Sequence, residues 1–147
     1  MHLCRLIYRS SYQETLTLAL VKNIEDVSQE NNNKLGITGF LVGNKSGFMQ
    51  VLEGEEGKVN SVFQNICSDN RHGDIEIISY SRILERAFPE WAMKCVSLGL
   101  VGRILGQRLK DKYGEQDGDI VLPSDGHKAF SMLFDLSFIL KKGEIAQ

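Results

Sequence analysis

The stretch from Gly36 to Gly54, GITGFLVGNKSGFMQVLEG, constrains the fold of this chain more than any other. Ile37, Phe40, Leu41 and Val42 lead into the turn set Gly43-Asn44-Lys45-Ser46-Gly47, and Phe48, Met49, Val51 and Leu52 follow it. Two β-rich runs joined by a short Gly/Asn/Ser loop predict an antiparallel hairpin. Both runs are apolar on both faces, which predicts strands in the middle of a sheet with at least one face covered. Gln50 breaks the pattern. A buried amide needs partners for two donors and an acceptor, and leaving them unmade costs about 1–3 kcal/mol.

The rest of the chain reads around this hairpin. Leu3 to Tyr8 predicts a first strand that ends at Tyr8, followed by a polar loop, Arg9-Ser10-Ser11-Tyr12. Thr15 caps a first helix in which Leu16, Leu18, Leu20, Val21, Ile24 and Val27 recur near helical spacing. That helix runs to about Glu30, with Asn31-Asn32-Asn33-Lys34 as its stop. Val59, Val62, Phe63 and Ile66 predict a second helix over Lys58 to Ser68, ended by Asp69-Asn70-Arg71-His72-Gly73. Ile75, Ile77, Ile78 and Tyr80 form a fourth strand. Trp91, Met93 and Val96 alternate with Ala92, Lys94 and Cys95, which predicts a fifth strand with Trp91 and Met93 on one face. The order β-α-β-β-α-β-β is the split βαβ, ferredoxin-like arrangement of an α+β fold with one added strand, both helices covering one face.

From Leu98 onward the pattern is helical. Ile104, Leu105, Leu109 and Tyr113 predict a helix over Gly102 to Tyr113, Gly114 to Ser124 a surface loop, and His127 to Lys142 a further helix. This last helix is apolar around much of its girth. It must pack on the other sheet face, on the helix before it, or on another subunit. The reading is residues 1–97 as one domain and 98–147 as a two-helix extension.

Composition excludes several classes. The 147 residues suit one domain, and a net charge of −2 with pI near 5.9 gives no basic surface for nucleic acid. No apolar run approaches the roughly 20 residues of a membrane span, and the N-terminus lacks a signal-peptide pattern. Cys4, Cys67 and Cys95 form no CxxC pair, so the expectation is a reducing cytoplasm. His2, His72 and His127 lack metal-ligand spacing. No nucleophile–base pair and no Gly-rich phosphate motif is present, so the chain is expected not to be an enzyme.

The remaining chemistry lies at strand and helix ends. Tyr8 ends the first strand, and Gln50 lies beside it in a ferredoxin-like sheet. Asn31 and Asn32 end one helix; Asp69, Arg71 and His72 end the other. If the two helices straddle a slot over the sheet, Ile24 and Ile66 point into it. A flat apolar ligand with polar edges would fit there, its edges met by amides and its phosphates by Arg71.

Five blocks carry a resemblance: RLIYRS at Arg5 to Ser10, NNNKLGITGFL at Asn31 to Leu41, FMQVLEG at Phe48 to Gly54, DNRHGDIEI at Asp69 to Ile77, and RAFPEWAM at Arg86 to Met93. In this order they resemble the BLUF domain, a blue-light sensor that uses FAD, over residues 1 to about 97. The helical C-terminus resembles the short stand-alone members. The resemblance implies FAD as cofactor, with FMN or riboflavin as variants of it. It implies that Tyr8 donates an electron and proton, and that Gln50 bridges Tyr8 and the flavin. Met93 would sense Gln50, with Trp91 as its neighbour. Asn32, with Asn31 nearby, would hold the carbonyl edge, and Ile24 and Ile66 would clamp the ring. Asp69, Arg71 and His72 would lie toward the ribityl and phosphate end. Asn65 departs from the Arg or His common in relatives at that position.

The expected function is a blue-light photoreceptor in which light rearranges the Tyr8–Gln50–flavin hydrogen bonds and so alters a downstream signalling protein or a homo-oligomer. The rival reading is a ferredoxin-like effector-binding or interaction module without photochemistry. A flavin redox enzyme ranks last, since no nicotinamide site or active thiol is evident.

Overall fold

The structure, a computed structural model, describes residues 2–12 and 18–143. Its strands are β1 (Leu3–Tyr12), β2 (Thr38–Gly43), β3 (Gly47–Glu55), β4 (His72–Ile83) and β5 (Cys95–Ser97). They form one sheet in the order β4-β1-β3-β2-β5. β3 runs antiparallel between β1 and β2, and β5 joins the edge parallel to β2. Helices α1 (Leu18–Leu35) and α2 (Glu56–Cys67) precede β2 and β4; α3 (Arg103–Tyr113) and α4 (Gly126–Lys141) follow the sheet. The α+β, ferredoxin-like arrangement expected from the order of elements is the one found.

The two-residue period of the strands sorts side chains into two cores. Cys4, Leu6 and Leu52 face α2, with Val59, Phe63 and Ile66 packed on them. Ile7, Phe40, Met49 and Val51 face the other way, onto Leu133, Leu136 and Leu140 of α4 and Leu109 of α3. The most apolar helix therefore covers the sheet face opposite α1 and α2. Leu136 and Leu133 are completely buried, and α3 is tied to α4 through Tyr113 Oη to Asp135 at 2.9 Å.

Several boundaries differ from the sequence expectation. β1 does not stop at Tyr8: Arg9 to Tyr12 continue the strand, because β3 and β4 flank it and take its backbone groups. At Gly47 a Cβ would lie 2.1 Å from the Ser10 carbonyl oxygen, so only glycine allows this pairing. α1 does not stop at Asn31. It continues to Leu35 and ends at Gly36, whose φ of +66° is the left-handed cap. β4 is longer than expected at 12 residues. The Thr15 cap and Leu16 lie outside the described residues, as do the side chains of Leu18, Leu20 and Val21. The stretch from Gly114 to Ser124 is more than a loop: β6 (Glu115–Gln116) and β7 (Asp119–Ile120) pair through Asp117 and Gly118, both at positive φ, as a tight hairpin requires.

The largest correction concerns the fifth strand. β5 holds only Cys95–Ser97. Residues 91–94 are irregular, although the Gly39 N–H reaches the Trp91 carbonyl at 3.0 Å and the Leu41 N–H the Lys94 carbonyl at 2.8 Å. Strand parity does not apply there, so Trp91 and Met93 do not share a face. Met93 is buried among the α2-side residues. Trp91 packs on the α4 side, its ring 5.8 Å from that of Phe40.

Candidate functional site

Tyr8 and Gln50 are directly opposite each other across β1 and β3. Both have the parity of Leu6 and Leu52, so both point to the α1/α2 face. Tyr8 Oη donates to Gln50 Oε1, and Gln50 Nε2 donates to Met93 Sδ at 3.3 Å. The carboxamide thus has a phenol at its acceptor end and a thioether at its donor end, and it is only 5% exposed. This is the partner arrangement that an amide in an apolar strand demands.

The phenol is held neutral. Burial pushes the Tyr8 pKa well above its ordinary value, and negative charge on Cys67, Asp69 and Cys95, when they are ionised, adds to that. Phe63 of α2 lies 5.2 Å from the Tyr8 ring and Phe48 of β3 6.0 Å, centre to centre. His72 extends this wall, 5.3 Å from Phe48. Its Nε2 is 2.9 Å from the Ile66 carbonyl, which only accepts, so Nε2 carries a proton; Nδ1 is 2.6 Å from Ser10 Oγ.

Asn32, on α1, is 3% exposed and its Nδ2 donates to the Ala92 carbonyl at 2.8 Å. Asn31 is exposed. Ile24 and Ile66 are half-buried, Ile66 against the α2-side core. After α2, Asp69 accepts from Arg71 Nε at 3.0 Å. This pairing holds the Asp69 carboxyl down at about 2. Among the described residues no group of His, Cys, Asp or Glu is arranged to hold a metal.

Tyr8, Gln50, Met93 and Asn32 are therefore gathered around residues 92–93, and Ile66 and His72 touch each other. Trp91 is not part of this gathering. The sequence reading missed Glu25 and Gln29 of α1, which also bond residues 92–95, and Gly39. A Cβ on Gly39 would lie 2.7 Å from the Met93 methyl and 2.6 Å from the Val51 carbonyl oxygen. It also missed Glu53, wholly buried, which meets Arg5 Nε at 2.7 Å and accepts from the backbone N–H groups of Ala87 and Phe88. Acidic residues at core positions of a helix and a strand were the available signal.

The site is a buried phenol–carboxamide–thioether chain on the helix-covered face of a ferredoxin-like sheet. Residues 3–94 match the family described as BLUF, sensors of blue-light using FAD, and the chain belongs to that family. The blue light- and temperature-regulated antirepressor BluF of Escherichia coli (strain K12) is 31% identical over 98 residues, which are 67% of this chain and 24% of BluF. The photoactivated adenylate cyclase subunit alpha of Euglena gracilis is 29% identical over 92 residues, which are 61% of this chain and 9% of that protein. This chain thus spans a quarter or less of these two relatives. Among solved structures, the dark state of the BLUF protein BlrB superimposes with a TM-score of 0.74 at 30% identity, covering 91% of this chain and 93% of that one. The ground state of BlsA gives 0.67 at 28% identity, covering 99% and 89%. The chain is thus a member of a family of flavin-binding blue-light sensors, and the cyclase relatives carry further sequence that it does not match.

Proposed function

We propose that this chain binds FAD between α1 and α2 and signals through a light-driven change in the bonding of Gln50, without catalytic turnover of its own. The observation that carries this is the Gln50 carboxamide, suspended between Tyr8 Oη and Met93 Sδ. The donor set fits a flavin. Gln50 and Asn32 are carboxamides, each able to donate and accept, over a floor of aromatic and aliphatic side chains. Asn32, with Asn31 beside it, would hold the carbonyl edge of the ring; Ile24 and Ile66 would flank its faces. Asp69, Arg71 and His72 would face the ribityl and phosphate end. FMN or riboflavin would meet the same ring contacts and lack some of the outer ones.

Bound flavin supplies the blue absorption and, when excited, an acceptor for one electron. Tyr8, whose Oη meets Gln50, would be the residue that supplies that electron. A neutral phenol that loses an electron becomes strongly acidic, and its Oη proton passes to Gln50 Oε1. The carboxamide can then rotate or tautomerise, and the electron and proton return to Tyr8. If Gln50 turns end for end, its oxygen faces Met93 Sδ, where no hydrogen bond forms. Met93 is released, and the change passes along residues 91–97. Trp91, on the α4 face, is the far end of that segment and serves there as a reader rather than a contact of the ring.

Residues 1–97 would form the flavin domain, and 98–147 the part that answers. The output is a change in binding to a downstream signalling protein or in homo-oligomer assembly, in the cytoplasm, with no nucleic acid or membrane engaged. No helix among the described residues is long and apolar enough to cross a membrane. The test is an absorption spectrum before and after blue light. FAD-loaded protein should show a small, reversible red shift; protein that takes up no flavin, or takes it up without a reversible shift, overturns the reading.

A further inference from the structure

Glu25, Gln29 and Asn32 stand four and three residues apart on α1 and share one face of the helix. An amphipathic helix ordinarily keeps that face apolar. Here each of the three bonds one backbone group of the irregular segment. Glu25 Oε2 accepts from the Cys95 N–H at 2.8 Å, Gln29 Nε2 donates to the Met93 carbonyl at 2.7 Å, and Asn32 Nδ2 donates to the Ala92 carbonyl at 2.8 Å. From the other side β2 bonds the Trp91 and Lys94 carbonyls. Residues 91–95 are thus laddered twice, by backbone on the β2 side and by side chains on the α1 side. Glu25 is 6% exposed, with Lys22 Nζ at 3.4 Å as its counter-charge. A carboxylate is costly to bury, and a charge-assisted bond to a backbone N–H offsets that cost.

We propose that Glu25 and Gln29 are positioning residues of the switch. They set the height of residues 93–95 along β2 and so keep Met93 Sδ on Gln50 Nε2. The proposal deepens the light-driven reading above and rests on it. Met93 is held at both its carbonyl, by Gln29, and its side chain, by Gln50. Loosening the carbonyl end weakens the sulfur contact of the dark arrangement, and return to that arrangement after light slows. Glu25 acts two residues further on, where a slip of Cys95 would carry Met93 with it.

The experiment uses the full chain loaded with FAD, comparing the parent with Gln29→Ala, Gln29→Glu, Glu25→Ala and Glu25→Gln. All are expected to bind flavin. Gln29→Ala, Gln29→Glu (which has no donor for the carbonyl) and Glu25→Ala should return to the dark spectrum about fivefold more slowly, the factor carried by one net hydrogen bond. Glu25→Gln keeps an acceptor oxygen and should return near the parent rate. Amide exchange at Cys95, read in the dark, should speed up in Glu25→Ala and not in Glu25→Gln. If Glu25→Ala fails to fold, Gln29→Glu against Glu25→Gln decides in the same way. Variants that load flavin and return at the parent rate overturn this proposal alone; a parent without a reversible shift overturns the light-driven reading, and this proposal with it.

Discussion

The sulfur of Met93 accepts a hydrogen bond from Nε2 of Gln50 at 3.3 Å, and this contact joins the central strand β3 to an irregular segment at the sheet edge. The segment has no regular ladder of its own. It is held by β2, by three α1 side chains and, further back, by Glu53 and Arg86. Arg86 donates to the Gly36 carbonyl at 2.7 Å and to Thr38 Oγ1 at 2.9 Å.

Removing the phenol hydroxyl should separate binding from switching. Tyr8→Phe keeps the ring packed on Phe63 and Phe48 but leaves nothing to donate to Gln50. Flavin should still bind and the reversible red shift should vanish. Gln50→Leu should do the same by removing the carboxamide. Difference absorption spectra before and after illumination check both; a parent-like shift in either variant contradicts the assigned roles.

Glu53→Ala should be severely destabilising. The carboxylate is wholly buried, pairs with Arg5 and accepts two backbone N–H groups of the segment that leads to Trp91. Breaking a buried pair from one side costs about 3–5 kcal/mol. Urea unfolding should show the midpoint falling with little change in slope.

Gly39→Ala tests how closely Met93 approaches β2. The added methyl meets the Val51 carbonyl oxygen at 2.6 Å and the Met93 methyl at 2.7 Å. Overpacking of this kind costs about 1–3 kcal/mol. The flexible Met93 end gives way more easily than the backbone, so the dark absorption of bound flavin should shift as well as the urea midpoint.

Alkaline titration should show the tyrosines ionising late. Burial raises Tyr8 far above the ordinary phenol value and Tyr12 and Tyr80 to about 12, and Tyr113 is raised as well. In each case the folded chain holds its proton more tightly than the unfolded chain. Their stabilising contribution is therefore fully present below about pH 10, where the unfolded phenols are still neutral, and is lost as pH rises toward and past the folded values. Tyrosinate absorbance at about pH 11 should be far larger in urea than in native buffer; equal absorbance would contradict the burial argument.

The sequence by itself determined the hairpin and the order of the five sheet strands and four helices, whereas the register that sets Tyr8 opposite Gln50 on one face came from the pairing of β1 with β3. The hairpin and the element order follow from short-range rules: turn chemistry between Gly43 and Gly47, and the spacing of apolar residues along each run. Tertiary structure alone decided where β1 and α1 end, which face α4 covers, and on which side of the sheet Trp91 lies. The reason is where backbone hydrogen bonds find their partners. Arg9 to Tyr12 stay extended because β3 and β4 flank them, and the α1 side chains Gln29 and Asn32 bond carbonyls some 60 residues away along the chain. Periodicity records which way a side chain faces, whereas the partner that satisfies an irregular backbone is chosen only when the chain has closed on itself.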